Sequence, residues 1–157
     1  MELIMRSMRK HLISFFFLFI LILLPRSASA DLVIVGKAIA VMSGDTLKVL
    51  WTGGIEMVRL ADIDAPKAGE PQGQEAKWFT EDHTIALTVI VTIKGVDQFG
   101  RSVGEVFLED GRSLNQELIK NGLARWRKNY LEGAIFERLE REAKEKKVGL
   151  WGGVKKD

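Results

Sequence analysis

The Thr52-Gly53-Gly54 triplet constrains this chain more than any other feature, because it separates two short runs rich in Val, Leu and Ile. Paired glycines between such runs signal a tight hairpin, since glycine reaches the backbone angles that these turns require. Thr46 to Trp51 and Ile55 to Leu60 are the strands it joins. A lone hairpin is marginal in water, so further strands must cover its apolar face. The neighbouring sequence supplies them. Leu32 to Met42 alternates loosely, and Ile85 to Ile93 is β-branched and apolar. Ser102 to Leu108 follows the turn Asp97-Gln98-Phe99-Gly100 and is closed by Glu109-Asp110-Gly111.

Three helices complete the pattern. Gly73 to His83 carries Ala76, Phe79 and Thr80 at inward spacing. A second helix opens at Ser113, with Gln116 as capping-box partner and Gly122 as its stop. The third runs from about Glu132 to Lys147, with Ile135, Phe136, Leu139 and Ala143 on one face and solvated charge on the other. Gly149-Leu150-Trp151 is expected to tuck the terminus back onto the strands. This order predicts a mainly β fold with packed helices: a five-stranded Greek-key barrel of the OB type plus about three α-helices.

The first 30 of the 157 residues read differently. Arg6, Arg9 and Lys10 precede an almost wholly apolar run, Leu12 to Leu24, and Ala28-Ser29-Ala30 is a small-x-small cleavage triplet. Basic, apolar and small-residue regions in that order mark a secretory signal peptide. The apolar run falls short of the roughly 20 residues a membrane span needs. Residues 1–30 are therefore expected to be removed, leaving 31–157 as one exported domain without stable membrane association, read as a monomer.

Four of the 23 basic residues and one of the 21 acidic ones lie in that leader, which leaves 19 against 20. The basic balance of the whole chain is thus a targeting feature, and any nucleic-acid binding must come from a local patch. No cysteine is present, which excludes thiolate metal sites and disulfide staples. With His83 the only histidine outside the leader, a metal would have to be held by carboxylates, which points to hard cations.

Three segments carry the chemistry. Ser43-Gly44-Asp45-Thr46-Leu47 is a turn entering the second strand. Val58-Arg59-Leu60-Ala61-Asp62-Ile63-Asp64-Ala65-Pro66 leaves the third. Asp97-Gln98-Phe99-Gly100-Arg101 joins the last two. Carboxylates that hold a hard cation, combined with guanidinium groups that clamp phosphate oxygens, are what phosphodiester hydrolysis demands. Each residue alone also reads as ordinary turn or surface chemistry.

Taken in order, Gly44-Asp45-Thr46, Val58-Arg59-Leu60, Ile63-Asp64-Ala65-Pro66 and Asp97-x-Phe-Gly-Arg101 resemble the staphylococcal nuclease (thermonuclease) family. Asn115-Gln116-Glu117-Leu118, Gly122-Leu123-Ala124 and Gly149-Leu150-Trp151 extend the resemblance over nearly all of residues 31–157. It implies that Asp45 and Asp64 are calcium carboxylates, with the Ala65 carbonyl as a further ligand. It implies that Arg59 and Arg101 bind the scissile phosphate, that Asn115 supports the barrel, and that the substrate is DNA or RNA with little sequence preference.

One position departs from the family. Where it carries a glutamate that serves as general base, directly after the Asp-x-Pro, this chain has Lys67. A cation cannot accept a proton from water at neutral pH, and losing a general base costs about 10² to 10⁴ in rate. Three accounts fit: Glu70 on the same loop substitutes as base; Lys67 contacts phosphate in a slow nuclease; or the chain binds nucleic acid without cutting it. Lys128, Trp126 and Tyr130 form a basic-aromatic stretch with the composition of a strand-binding surface, and equally that of a solvated turn. Trp78 and Trp151 read as packing residues, and His83 as a helix end.

Overall fold

The strands form where β-branched and apolar residues gather, and in β6 strict alternation is visible in what the strand buries. The structure, a computed structural model, describes residues 32–128 and 133–153. In chain order the strands are β1 Leu32–Ser43, β2 Thr46–Trp51, β3 Gly54–Leu60, β4 Ile63–Asp64, β5 Thr88–Val96, β6 Ser102–Phe107 and β7 Arg125–Trp126. The helices are α1 Gly73–Thr84, α2 Leu114–Lys120 and α3 Ala134–Glu145, followed by a 3-10 turn, Gly149–Trp151. β1, β2, β3, β6 and β5 close into a barrel in that order. All pairs are antiparallel except β3 with β6, which run parallel from Val58↔Ser102 to Leu60↔Gly104. The mixed five-stranded barrel with three helices is that expected of the OB type.

Ile34, Ala38, Leu47, Val49, Val58, Val89, Val91 and Val106 fill the interior. α2 covers one end with Leu114, Leu118 and Ile119, and α3 adds Phe136 and Leu139. Each fully buried aliphatic side chain contributes about 1.5–3 kcal/mol. α1 lies along β1 with Ala76, Thr80 and Thr84 buried. Trp78 does not pack: it is 59% exposed, because it stands on the outward face of α1 while Ala76 and Thr80 take the inward one.

Several local expectations are redrawn. The fifth strand starts at Thr88 rather than at Ile85, because Ile85 caps α1 through its N–H to the Glu81 carbonyl and Ala86 turns at φ 63°. Ser113 caps α2, but Gln116 does not reach back to complete the box; its amide Nε2 donates to Glu105 at 3.4 Å. Two strands of two residues each, β4 and β7, pair with one another outside the barrel. The start of the third helix at Glu132 lies outside the described residues, as does the leader.

The chain terminus docks on the end of α2. Gly122 and Gly149 sit back to back, the Leu150 N–H donating to the Gly122 carbonyl at 2.8 Å. A Cβ on Gly122 would meet the Val148 carbonyl oxygen at 2.3 Å, so the stop signal read as a helix terminator also permits this contact. Among the described residues no helix is long and apolar enough to cross a membrane.

Candidate functional site

The β1–β2 turn is pinned before it does any chemistry. Gly44 is wedged between α1 and the segment after β4; a Cβ there would meet Ala76 at 2.7 Å and Ala65 at 2.9 Å. The Thr80 hydroxyl donates to the Gly44 carbonyl at 2.7 Å. Asp45 is held beside it, 3% exposed. Its Oδ1 accepts the Ser43 and Thr46 hydroxyls at 2.9 and 3.1 Å, and its Oδ2 accepts the Ala65 N–H at 2.9 Å. A carboxylate this buried needs such partners to offset the cost of leaving water.

Arg59 supplies the countercharge. It leaves β3 with its side chain 13% exposed, placing Nη1 2.7 Å from Asp45 Oδ2 and Nη2 2.8 Å from Asp64 Oδ1. Nη2 also donates to the Ile63 carbonyl at 3.3 Å. One guanidinium thus joins a buried carboxylate to an exposed one, since the Asp64 side chain is 57% exposed. Asp45, Arg59, Asp64 and Ala65 are brought together as the motifs imply. Their oxygen donors suit a hard cation. Among the described residues no three His, Asp or Glu side chains cluster to hold a metal by themselves.

Arg101 is organised separately. Its Nε and Nη2 each lie 2.7 Å from Asp97 Oδ2, and its guanidinium lies 5.3 Å from the ring centroid of the exposed Phe99. Desolvation raises the Asp97 carboxyl, but hydrogen bonds from the Arg101 backbone and side chain and from the Phe99 N–H outweigh it and hold Asp97 below its ordinary value. The turn therefore holds Arg101 on Asp97 rather than on either site aspartate.

Lys67 is exposed, and its carbonyl accepts the Glu70 N–H at 3.0 Å. Glu70 Oε2 accepts the Lys67 N–H at 2.8 Å, so the carboxylate considered as a replacement base braces the loop that carries Lys67. Lys128 is exposed, whereas Trp126 is partly buried against the core. Tyr130 lies outside the described residues. Asn115, 1% exposed, accepts the Val106 N–H and donates to the Ala61 and Gly104 carbonyls, tying α2 to β6 and to the loop between Arg59 and Asp64.

Three contributors were not singled out from the sequence: the Ser43 hydroxyl, the Thr80 hydroxyl and Glu140. Ser43 adjoins the Gly-Asp-Thr motif and offered a signal by position. Thr80 read simply as part of an inward helix face. Glu140 sits in a charge run but is 7% exposed, its carboxylate bonded to Lys144 and to the Trp126 N–H, which corrects the reading of that helix side as wholly solvated. A surface groove of about 1010 Å³ runs between β1 and α1, lined by Ile39, Trp78, Phe79 and His83 among others. It includes none of Asp45, Arg59, Asp64 and Arg101, and the chemistry of those groups is the better guide to function.

Comparison with known proteins agrees with this geometry. Residues 57–153 match the family described as staphylococcal nuclease homologue. The chain is 34% identical over 128 residues to a micrococcal nuclease of Shigella flexneri, spanning 74% of this chain and 72% of that protein. It is 31% identical over 116 residues to an uncharacterized endonuclease of Escherichia coli O157:H7, covering 74% of this chain and 76% of the relative. A shorter match of 93 residues, at 34% identity, falls in the ribonuclease TUDOR 1 of Arabidopsis thaliana and covers 9% of it. With Arg59 bridging the two aspartates and the match running from β3 to the end of the described chain, this protein belongs to the staphylococcal nuclease homologue family.

Proposed function

We propose that this chain is an exported, calcium-dependent nuclease that hydrolyses phosphodiester bonds of accessible DNA or RNA strands with little sequence preference. The observation that carries the reading is the Asp45–Arg59–Asp64 bridge. Asp45, Asp64 and the Ala65 carbonyl would hold the calcium ion, with water and substrate oxygens completing its shell. When bound, calcium supplies the positive charge that offsets the two carboxylates and polarises a phosphate oxygen. Arg59 bridges the two aspartates in the metal-free protein; when the cation takes those carboxylates, its Nη1 and Nη2 would turn from them to the phosphate oxygens. Arg101, oriented by Asp97, provides the second guanidinium for charge that develops at phosphorus.

Water activation is the distinctive point. Lys67 cannot act as base, so the proton passes to Glu70, which the loop keeps close to Lys67 in the chain. The name of the Shigella flexneri relative supports a nuclease, and the leader pattern of residues 1–30 supports export. A second reading, a strand-binding module without cleavage, is favoured by Lys67 itself, an exposed cation two residues after the proposed Ala65 ligand.

Incubating residues 31–157 with single-stranded DNA, with calcium and then with chelator, separates the two. Cleavage that requires calcium and falls by about 10² or more in Arg59→Ala supports the nuclease. Micromolar binding with no cleavage at any calcium concentration supports the binding module and overturns the enzyme. Amino-terminal sequencing of the exported product should begin at Asp31.

A further inference from the structure

The most unexpected group in the molecule is the Glu140 carboxylate, buried in the centre of a helix whose charges read as solvated. A buried carboxylate is tolerated where its oxygens are filled, and both are. Oε1 accepts the Trp126 backbone N–H at 3.1 Å, and Oε2 lies 2.7 Å from Lys144 Nζ. Lys144 is itself set by Trp151, whose ring it overlies at 4.4 Å while the Arg125 guanidinium lies 5.0 Å from the same ring.

The peptide that Glu140 holds is part of β7. Its partner is β4, with Ile63 opposite Trp126 and Asp64 opposite Arg125. The Arg127 N–H extends this ladder to the Asp62 carbonyl at 2.8 Å. Two strands of two residues are too short to hold a register by themselves. Asp64 has no burial to fix it, so apart from its ion pair with Arg59 its position is inherited from the β4 backbone. That backbone is fastened on one side by Arg59, through the Ile63 carbonyl, and on the other by β7. Glu140 fills the edge of β7 that the ladder leaves open.

We infer that Glu140 is a positioning residue for the catalytic site, holding β7 so that β4 presents Asp64 to the cation. This rests on the reading of Asp64 as a calcium carboxylate. The role needs an acceptor oxygen at the right reach. Glu140→Gln keeps the acceptor and the length. Glu140→Asp keeps the charge but draws the carboxylate back from the Trp126 N–H, and Glu140→Ala removes it. Outer partners of metal ligands change affinity by about 10- to 100-fold, and this more remote link should weigh toward the lower bound.

The test is calcium titration of residues 31–157 by calorimetry, with amide hydrogen exchange on the metal-free protein. The expected result is about tenfold weaker calcium binding in Glu140→Asp and Glu140→Ala, faster exchange at Trp126 and Arg127, and values near wild type in Glu140→Gln. If Glu140→Ala does not fold, Glu140→Asp carries the comparison. Wild-type affinity and exchange in the Asp variant, or a Gln variant that loses as much as the Asp variant, overturns the inference. Wild-type protein that binds no calcium overturns instead the cation reading of Asp64. The exchange rates then still decide whether Glu140 secures the β7–β4 pair.

Discussion

At the scale of single residues, the site is a set of charges whose partners are assigned before substrate arrives. Asp45 is saturated by two hydroxyls, one N–H and Arg59, whereas Asp64 meets solvent. In the proposed nuclease, Lys67 occupies the position of the family's general base. Lys67→Glu should raise calcium-dependent cleavage by about tenfold or more, since general-base catalysis contributes about 10² to 10⁴; an unchanged or lower rate in a single-turnover assay would refute its role as the defect. Asp97 gives a prediction in pH. Its folded carboxyl is depressed, so its contribution to stability is complete above the ordinary carboxylate value of about 4 and is lost as pH falls through the lower folded value. Urea unfolding of wild type and Asp97→Asn should therefore differ by a constant amount above about pH 5, and the difference should shrink in stronger acid. The aspartates and arginines were legible in the sequence because their neighbours form ordered motifs. Ser43 and Glu140 were not, since hydrogen bonding and burial of single polar groups leave no periodic trace.

Among the elements, α1 braces the turn that carries Asp45. Thr80 is fully buried and its hydroxyl reaches Gly44, so Thr80→Val keeps the shape and removes the bond. The expected loss is about 1–3 kcal/mol in urea unfolding, because the Gly44 carbonyl is left without a donor. Cleavage should fall in the same variant if the turn sets Asp45, and unaltered kinetics would confine Thr80 to stability. The barrel strands were readable from the sequence because each has at least six residues, and β6 buries alternate ones from Ser102 to Val106. β4 and β7 were not readable: two residues cannot display a period, and their pairing is settled by contacts between segments far apart in the chain. The start of β5 was missed for a related reason. Ile85 and Leu87 have strand composition, but the end of α1 takes Ile85 first.

Over the whole molecule, Asn115 is where three regions meet: α2, β6 and the loop between Arg59 and Asp64. Asn115→Ala strands the Val106 N–H and the Ala61 carbonyl in the interior, while the Gly104 carbonyl keeps the Ala61 N–H at 2.7 Å. It should cost about 2–5 kcal/mol, seen as a drop in melting temperature of roughly 10 °C or more. A smaller change would mean that water takes over the bonds. The parallel seam between β3 and β6 has a different kind of consequence. Antiparallel neighbours such as β2 and β3 can zip from their turn, but Val58 meets Ser102 only after α1 and β5 lie between them. Closure must therefore wait for a long loop to find its ends, and that search, rather than the fast local hairpin, should set the folding time on a scale of roughly milliseconds to seconds. Until the seam closes, β3 has an open edge, and in that interval the chain is at its most vulnerable to proteases and to pairing with its neighbours.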